Sequence, residues 1–241
     1  MISERTFAEK YTSFWHRALP MGAKGVAAIN NDLTHKFSQG RPLPEGEIRA
    51  DLVSEISLRW LAARVVDGLL VKRRPSAAEL ARLAAEAGAF VALLKGSPTP
   101  ELPPPSPAEI REAAALSEIL IDLVQAQGDG RELIVPRPPF DGCGQLSACR
   151  GDLLVGQTLY EVKAVSDEGF QQPDLRQLVI YCALNFAAPR YDIRQIGLVN
   201  PRQGTLFRSD LEWIVQNLSG QEPVDLFYEI LDFLSTERVS A

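Results

Sequence analysis

The chain has 241 residues, of which 46% are apolar and 23% charged, and its formal net charge is −6. These values exclude a disordered or collagen-like polymer, and no apolar run reaches the roughly 18–20 residues a membrane span needs, so no membrane partner is expected. Three cysteines, Cys143, Cys149 and Cys182, cannot pair into a disulfide framework and fit a reducing cytosol, which makes a cytoplasmic location the expectation.

The first twenty residues carry charges throughout and lack a continuous apolar core, so no signal peptide is expected there. Residues 21–46 are punctuated by glycine and proline and read as loop. Arg49–Val71 places Leu52, Ile56, Leu61, Val65 and Leu69 at helical spacing. Ser76, followed three residues later by Glu79, opens an alanine-rich helix with a capping box. Residues 1–97 therefore read as a helical region without evident chemistry. Its histidines, His16 and His35, lack a ligand-like spacing, and the tryptophans Trp15, Trp60 and Trp213 read as core. From Ser97 to Pro107, six of eleven residues are proline. Proline fixes φ and removes a backbone donor, so residues 98–107 form a stiff connector to a second region, 108–241.

Beyond the connector the elements alternate. Ala108–Gln127 is a helix between Pro107 and Gly128. Arg131–Arg137, Arg150–Val155 and Thr158–Val165 are strand candidates. Pro173–Ala187 is helical, with Leu175, Leu178, Val179 and Cys182 on one stripe, and Tyr191–Val199 is another strand candidate. The order α-β-β-β-α-β predicts an α/β core with a mixed sheet. Phe140–Gly144 is a glycine-rich turn. Arg202 and Arg208, after the last strand, are read as solvated.

Gly156-Gln157 suits a two-residue type II′ turn. That register sets Val155 against Thr158, Leu154 against Leu159, Leu153 against Tyr160, and Asp152 against Glu161. Alternation then puts Lys163 on the face of Glu161. Opposed carboxylates repel and need a cation; Mg²⁺ suits such a pair, and Lys163 stands close enough to orient a water.

Gly151-Asp152 followed by Glu161-Val162-Lys163 resembles the PD-(D/E)XK nuclease superfamily. Gln177 and Tyr181, at i and i+4 of the second helix, resemble the Gln-x-x-x-Tyr motif of its RecB-like branch. The match covers roughly residues 108–200. The resemblance implies a restriction-endonuclease-like core and hydrolysis of phosphodiester bonds in DNA, with RNA left open, in repair or in defence against phage. It implies that Asp152, Glu161 and the Val162 carbonyl bind Mg²⁺ or Mn²⁺, that Lys163 positions the nucleophilic water, and that Gln177 and Tyr181 shape the site. Family members often add a glutamate from the first helix; Glu112 and Glu118 are candidates, and Glu118 is preferred because it lies amid the apolar run Leu116–Val124. Relatives that hold an iron–sulfur cluster use four cysteines, so no cluster is expected here. The alternative is an inactive module of the same fold, serving a larger complex.

Charge is uneven along the chain. Residues 1–107 hold 14 Lys+Arg against 11 Asp+Glu, and residues 211–241 hold 1 against 6. No strong basic surplus marks a nucleic-acid surface. A protein partner or a second copy of the chain is expected to dock through residues 1–97 or 211–241, with contact between these oppositely charged regions.

Overall fold

The computed structural model describes residues 1–42, 44, 47–94, 103–127, 132–166 and 169–236. In chain order these form α1 (Glu4–Lys10), α2 (Thr12–Ala18), α3 (Gly22–Ala28) running into a π-type turn (Ile29–Leu33), β1 (His35–Lys36), α4 (Ala50–Ala62), β2 (Val65–Val66), β3 (Leu69–Leu70), α5 (Ala77–Leu94), α6 (Pro107–Ala126), β4 (Ile134–Pro136) and β5 (Pro139–Phe140). There follow β6 (Cys149–Arg150), β7 (Leu153–Val155), β8 (Thr158–Val162), α7 (Gln172–Ala187), β9 (Gln195–Asn200), β10 (Thr205–Asp210), α8 (Leu211–Ser219) and α9 (Pro223–Thr236).

The hairpin forms in the expected register: Leu153, Leu154 and Val155 face Tyr160, Leu159 and Thr158. Gly156 supplies the turn's positive φ of 56°, which costs glycine nothing. Around it grows a mixed six-stranded sheet in the order β1-β10-β9-β8-β7-β4. Only the β8–β9 pair is parallel, because α7 carries the chain back across the sheet between them. β8 is central and covered on both faces, so every one of its five residues is buried.

Alternation along β8 decides what lies where. Leu159, with Leu154, Ile196, Leu198 and Phe207, enters a core shared with α1, α2, α3, α7, α8 and α9. Tyr160 and Val162, with Leu153, Val155 and Val199, enter a second core under α4 and α6. A third cluster joins α4, α5 and α6 through Leu52, Ile56, Trp60, Ala87, Val91 and Leu116. The result is a sheet between two helical layers. The capping box of α6 is built from Ser106 and Glu109, with Pro107 in the first turn.

The expected division at the connector does not separate two bodies. β1 hydrogen-bonds to β10 as the sheet's edge. Phe7, Phe14, Trp15 and Ile29 are buried in the same core as α7 and α9, and the Phe14 and Phe233 rings lie 4.4 Å apart. α4 and α5, before the connector, share a core with α6, after it. Within the chain, one ion pair joins the two oppositely charged regions, Arg17 Nε to Glu229 Oε1 at 3.1 Å. Residues 98–102 of the connector, Gly128 and Arg131 lie outside the described residues.

Three local readings are corrected. The helix expected over 49–71 ends at Ala62, because Asp67 (φ 51°) and Gly68 (φ 76°) make the hairpin turn between β2 and β3. Asp-Gly between apolar pairs is a strong hairpin signal, which outweighs the helical spacing. Residues 21–46 are partly helical: the glycines of α3 allow close packing, since a Cβ on Gly25 would stand 2.1 Å from Leu218 Cδ2. Trp213 is 46% exposed, whereas Trp15 and Trp60 are buried. The Phe140–Gly144 turn is structural. A Cβ on Gly144 would meet the Leu234 backbone at 2.1 Å, and Asp141 pairs with Arg190 at 2.7 Å on the surface. No described helix is long and apolar enough to cross a membrane.

Candidate active site

The carboxyl ends of the parallel pair β8–β9 are the usual place for a site in an open α/β sheet. At this end, on the α7 side, Glu161 and Lys163 project from the same face of β8 and the residue just beyond it. Glu161 is 3% exposed. Its Oε1 lies 2.7 Å from Lys163 Nζ, and its Oε2 is buried without a hydrogen-bond partner among the described residues. Asp152 follows the turn out of β6, just before β7, and is half-buried; its Oδ2 accepts the Val162 N–H at 2.8 Å. That bond ties the end of β8 to the acidic side chain.

α7 lies over this face. Proline in its first turn and a capping box between Gln171 and Asp174 fix its start. Asp174, Gln177 and Tyr181 then recur at i, i+3 and i+7, on one stripe. Gln177 Oε1 accepts from Lys163 Nζ at 3.0 Å, and Asp174 Oδ1 stands 3.3 Å from the same ammonium. Gln177 Nε2 reaches the Tyr181 hydroxyl at 3.5 Å. The Tyr181 ring stacks on Phe140 with centroids 5.3 Å apart.

The electrostatics are unbalanced. Burial raises the Glu161 carboxyl, the charge of Asp152 raises it further, and Lys163 opposes both; the outcome is a pKa pushed up to about 8. Asp152 is raised by loss of hydration, partly offset by Lys163. Burial by itself would lower Lys163, but Glu161, Asp174 and Asp152 outweigh it and hold the ammonium charged. Burial drives the Tyr181 hydroxyl well above its ordinary value, so it stays protonated. A surplus of carboxylates around one ammonium, with one buried oxygen unanswered, is a place where a further cation lowers the free energy.

Hard oxygen donors suit Mg²⁺ or Mn²⁺, and Mg²⁺ is commonly held by one or two carboxylates with water and phosphate oxygens completing the shell. Glu161 Oε2 and Asp152 fit that donor set. Among the described residues no group of three or more His, Cys, Asp or Glu side chains stands ready as a metal cage. Val162, the expected carbonyl donor, is buried at the end of β8.

Glu118 is not part of this site. It is 56% exposed and pairs with Arg64 at 3.4 Å, because the buried stripe of α6 runs through Glu112, Ala113, Leu116, Ser117 and Leu120. Glu112 is buried, but it pairs with Arg202 at 2.6 Å and Arg41 at 2.8 Å. Besides Asp174 of α7, a further helical carboxylate approaches from α1. Glu4 sits in its first turn, after the Ser3 cap. Burial raises its pKa first, and the fields of Asp152 and Lys163 also reach it. Helical spacing puts Glu4 one turn before Phe7 and Ala8, the buried face of α1, but only the tertiary fold brings that face to the site. Asp174 was legible from the sequence, one turn before Gln177.

Arg137 gave no local signal. It follows β4 with φ 54°, a conformation that costs a non-glycine residue about 1 kcal/mol or more. Its N–H donates to the Asp152 carbonyl at 2.9 Å. Its guanidinium donates to Glu55 of α4 and lies 4.7 Å from the Phe90 ring centroid. Residues from before the connector thus brace the strand end that carries Asp152. The three cysteines are free thiols.

No protein-family model, curated protein or solved structure matches this chain.

Proposed function

We propose that the chain is a metal-dependent nuclease that hydrolyses phosphodiester bonds of DNA, built on the PD-(D/E)XK plan in its RecB-like form and serving repair or anti-phage defence. The observation that carries this reading is the buried Glu161 with an unanswered Oε2, beside Asp152 and in contact with Lys163. With the separate β5–β6 pair set aside, the order α6, β4, β7, β8, α7, β9 through the main sheet, with its parallel step at β8–β9, agrees with it.

Asp152, Glu161 and the Val162 carbonyl would hold Mg²⁺ or Mn²⁺. When bound, the ion supplies Lewis-acid polarisation of a phosphoryl oxygen and a more acidic water. Lys163 remains an ammonium and has three N–H groups to place. Glu161 and Gln177 take two at 2.7 and 3.0 Å, and the longer 3.3 Å approach to Asp174 is the one a water or phosphoryl oxygen would displace. Lys163 then orients the attacking water and offsets the charge that develops on phosphorus-bound oxygen. Gln177 positions Lys163, and the protonated Tyr181 hydroxyl holds Gln177.

Cleavage of linear and circular DNA, and of RNA, in Mg²⁺, Mn²⁺ or EDTA tests the reading. Activity in either metal that EDTA and Glu161→Ala both abolish is expected. Cleavage undiminished in Glu161→Ala would overturn the mechanism, and strand binding without turnover would assign an inactive module of the same fold.

One observation favours an assembly role beside this chemistry. α8 and α9 expose Trp213, Val224 and Tyr228, which suits a protein partner or a second copy of the chain. Size exclusion with light scattering, with and without Trp213→Ser and Tyr228→Ser, reads the self-association that this predicts.

A further inference from the structure

On the other side of the sheet, at the same end of β8–β9, a second polar cluster has no part in this chemistry. Asn200 closes the turn after β9, its Oδ1 accepting the Arg202 and Gln203 N–H groups at 3.1 Å. The turn drives Arg202 inward until 2% of it is exposed. Arg202 is therefore not the solvated arginine that its loop setting suggested.

Its guanidinium is only partly answered. Nη1 donates to Glu112 Oε1 at 2.6 Å, Nε has the Ala164 carbonyl at 3.5 Å, and Nη2 is buried without a partner among the described residues. The other oxygen of Glu112 accepts from Arg41 Nε at 2.8 Å. Among the described residues one carboxylate thus serves two guanidinium groups, which leaves one positive charge over. Arg41 is delivered by the edge strand: past β1 the chain tracks the 202–204 turn, with the Arg41 N–H on the Arg202 carbonyl at 2.5 Å. Only glycine fits at position 40, where a Cβ would stand 2.8 Å from the Gln203 carbonyl oxygen.

Beside the two arginines opens a cavity of about 390 Å³ lined by Gly40, Arg41, Pro42, Ser166, Arg202 and Gln203. The described lining combines two guanidinium groups with the hydroxyl of Ser166 and the amide of Gln203. Guanidinium forks match tetrahedral oxyanions by paired N–H donation and stay charged when dry.

We propose that this cavity is a phosphate-binding pocket in which Arg202 and Arg41 clamp a phosphate group, with Glu112 holding both arginines in position. The inference stands without the nuclease reading. If both hold, the pocket takes a phosphate neighbouring the one at Glu161, since Ser166 lies three residues beyond Lys163 and three extended residues reach at most about 10 Å.

The test is titration calorimetry of the whole chain with inorganic phosphate, in EDTA and without divalent metal, so that the carboxylate cluster takes no anion. Binding in the range of about 1 mM or tighter is expected. Arg41→Gln and Arg202→Lys should each weaken it about tenfold or more, and Asp152→Asn should leave it unchanged. Arg41 is exposed, so Arg41→Gln decides the matter even where Arg202→Lys fails to fold. Absence of binding up to about 20 mM phosphate, equal binding in wild type and Arg41→Gln, or acetate binding as tightly as phosphate overturns the proposal. Displacement of phosphate by a short oligonucleotide assigns the pocket to strand phosphates. Failure to displace assigns it to free phosphate or a small phosphoester, and either result supports the pocket.

Discussion

Glu109 and Glu161 are both buried glutamates in this chain, and their surroundings are opposite. Glu109, at the start of α6, receives Arg49 Nε at 2.8 Å and Nη2 at 2.7 Å, together with the Ser106 N–H at 2.7 Å and the Arg49 N–H at 3.1 Å. Arg49 and these backbone donors pull its pKa down to about 2. Glu161 has one ammonium, which it shares with Asp174, and one oxygen with no partner. Burial and Asp152 push it up to about 8. The same side chain is a finished structural joint in one place and an unfinished charge in the other. Burial alone does not mark a site; an imbalance that the fold leaves uncorrected does.

The largest effect that could break this comparison is on turnover. Under the proposed function, Glu161→Gln and Asp152→Asn should each lower DNA cleavage by about 10³-fold or more, since each would remove a ligand of the proposed ion. Glu109→Gln should leave cleavage within about threefold, because that pair touches no reacting group. Equal losses in all three, measured as initial rates, would erase the distinction.

Stability should rank the two sites the other way. Glu109→Gln removes the partner of a charged, half-buried Arg49, at a cost of about 1–3 kcal/mol in urea unfolding. Glu161→Gln at pH 8 without metal should cost nothing or stabilise, because it deletes a desolvated charge. Phe7→Ala tests a related point, that α1 belongs to the main core: a loss of about 3–5 kcal/mol in one cooperative transition is expected. Two separate transitions in the wild type would restore a division at the connector.

The pH profiles should have opposite signs. Between about 4.5 and 8 the native state holds a proton on Glu161 that the unfolded state has released, so stability falls as pH rises, by at most about 1.4 kcal/mol per pH unit. Asp152 acts in the same direction. Added Mg²⁺ should flatten this slope, and Glu161→Gln should remove most of it. Glu109 binds its proton less readily when folded, so its contribution is present above about 4.5 and is lost as pH falls towards 2. Thermal unfolding from pH 3 to 8, in both variants, reads both slopes. The smallest expected effect is that of Glu118→Ala. Its pairing with Arg64 is on the surface, so cleavage should be unchanged and stability altered by less than about 1 kcal/mol.

Much of the site's wiring is local and was therefore legible. A two-residue turn with glycine first sets the register of β7 and β8. Strand alternation then puts Glu161 and Lys163 on one face, and a helical period puts Gln177 and Tyr181 on another. Those relations depend only on residues close in sequence, through pleat, pitch and turn geometry. What the sequence left open depends on which elements meet. The α-helical carboxylates near the site come from α7 through Asp174 and from α1 through Glu4, and not from α6 through Glu118, because the buried stripe of α6 turns Glu118 outward. β1 joins the sheet edge far from its partner in sequence, which merges residues before and after the connector into one core and sets Arg41 beside Arg202. Burial then decides the charge state of each group. No spacing rule shows that Glu109 meets a well-placed arginine while Glu161 keeps an oxygen unpaired, because desolvation and charge balance are sums over every neighbour that the tertiary fold brings near.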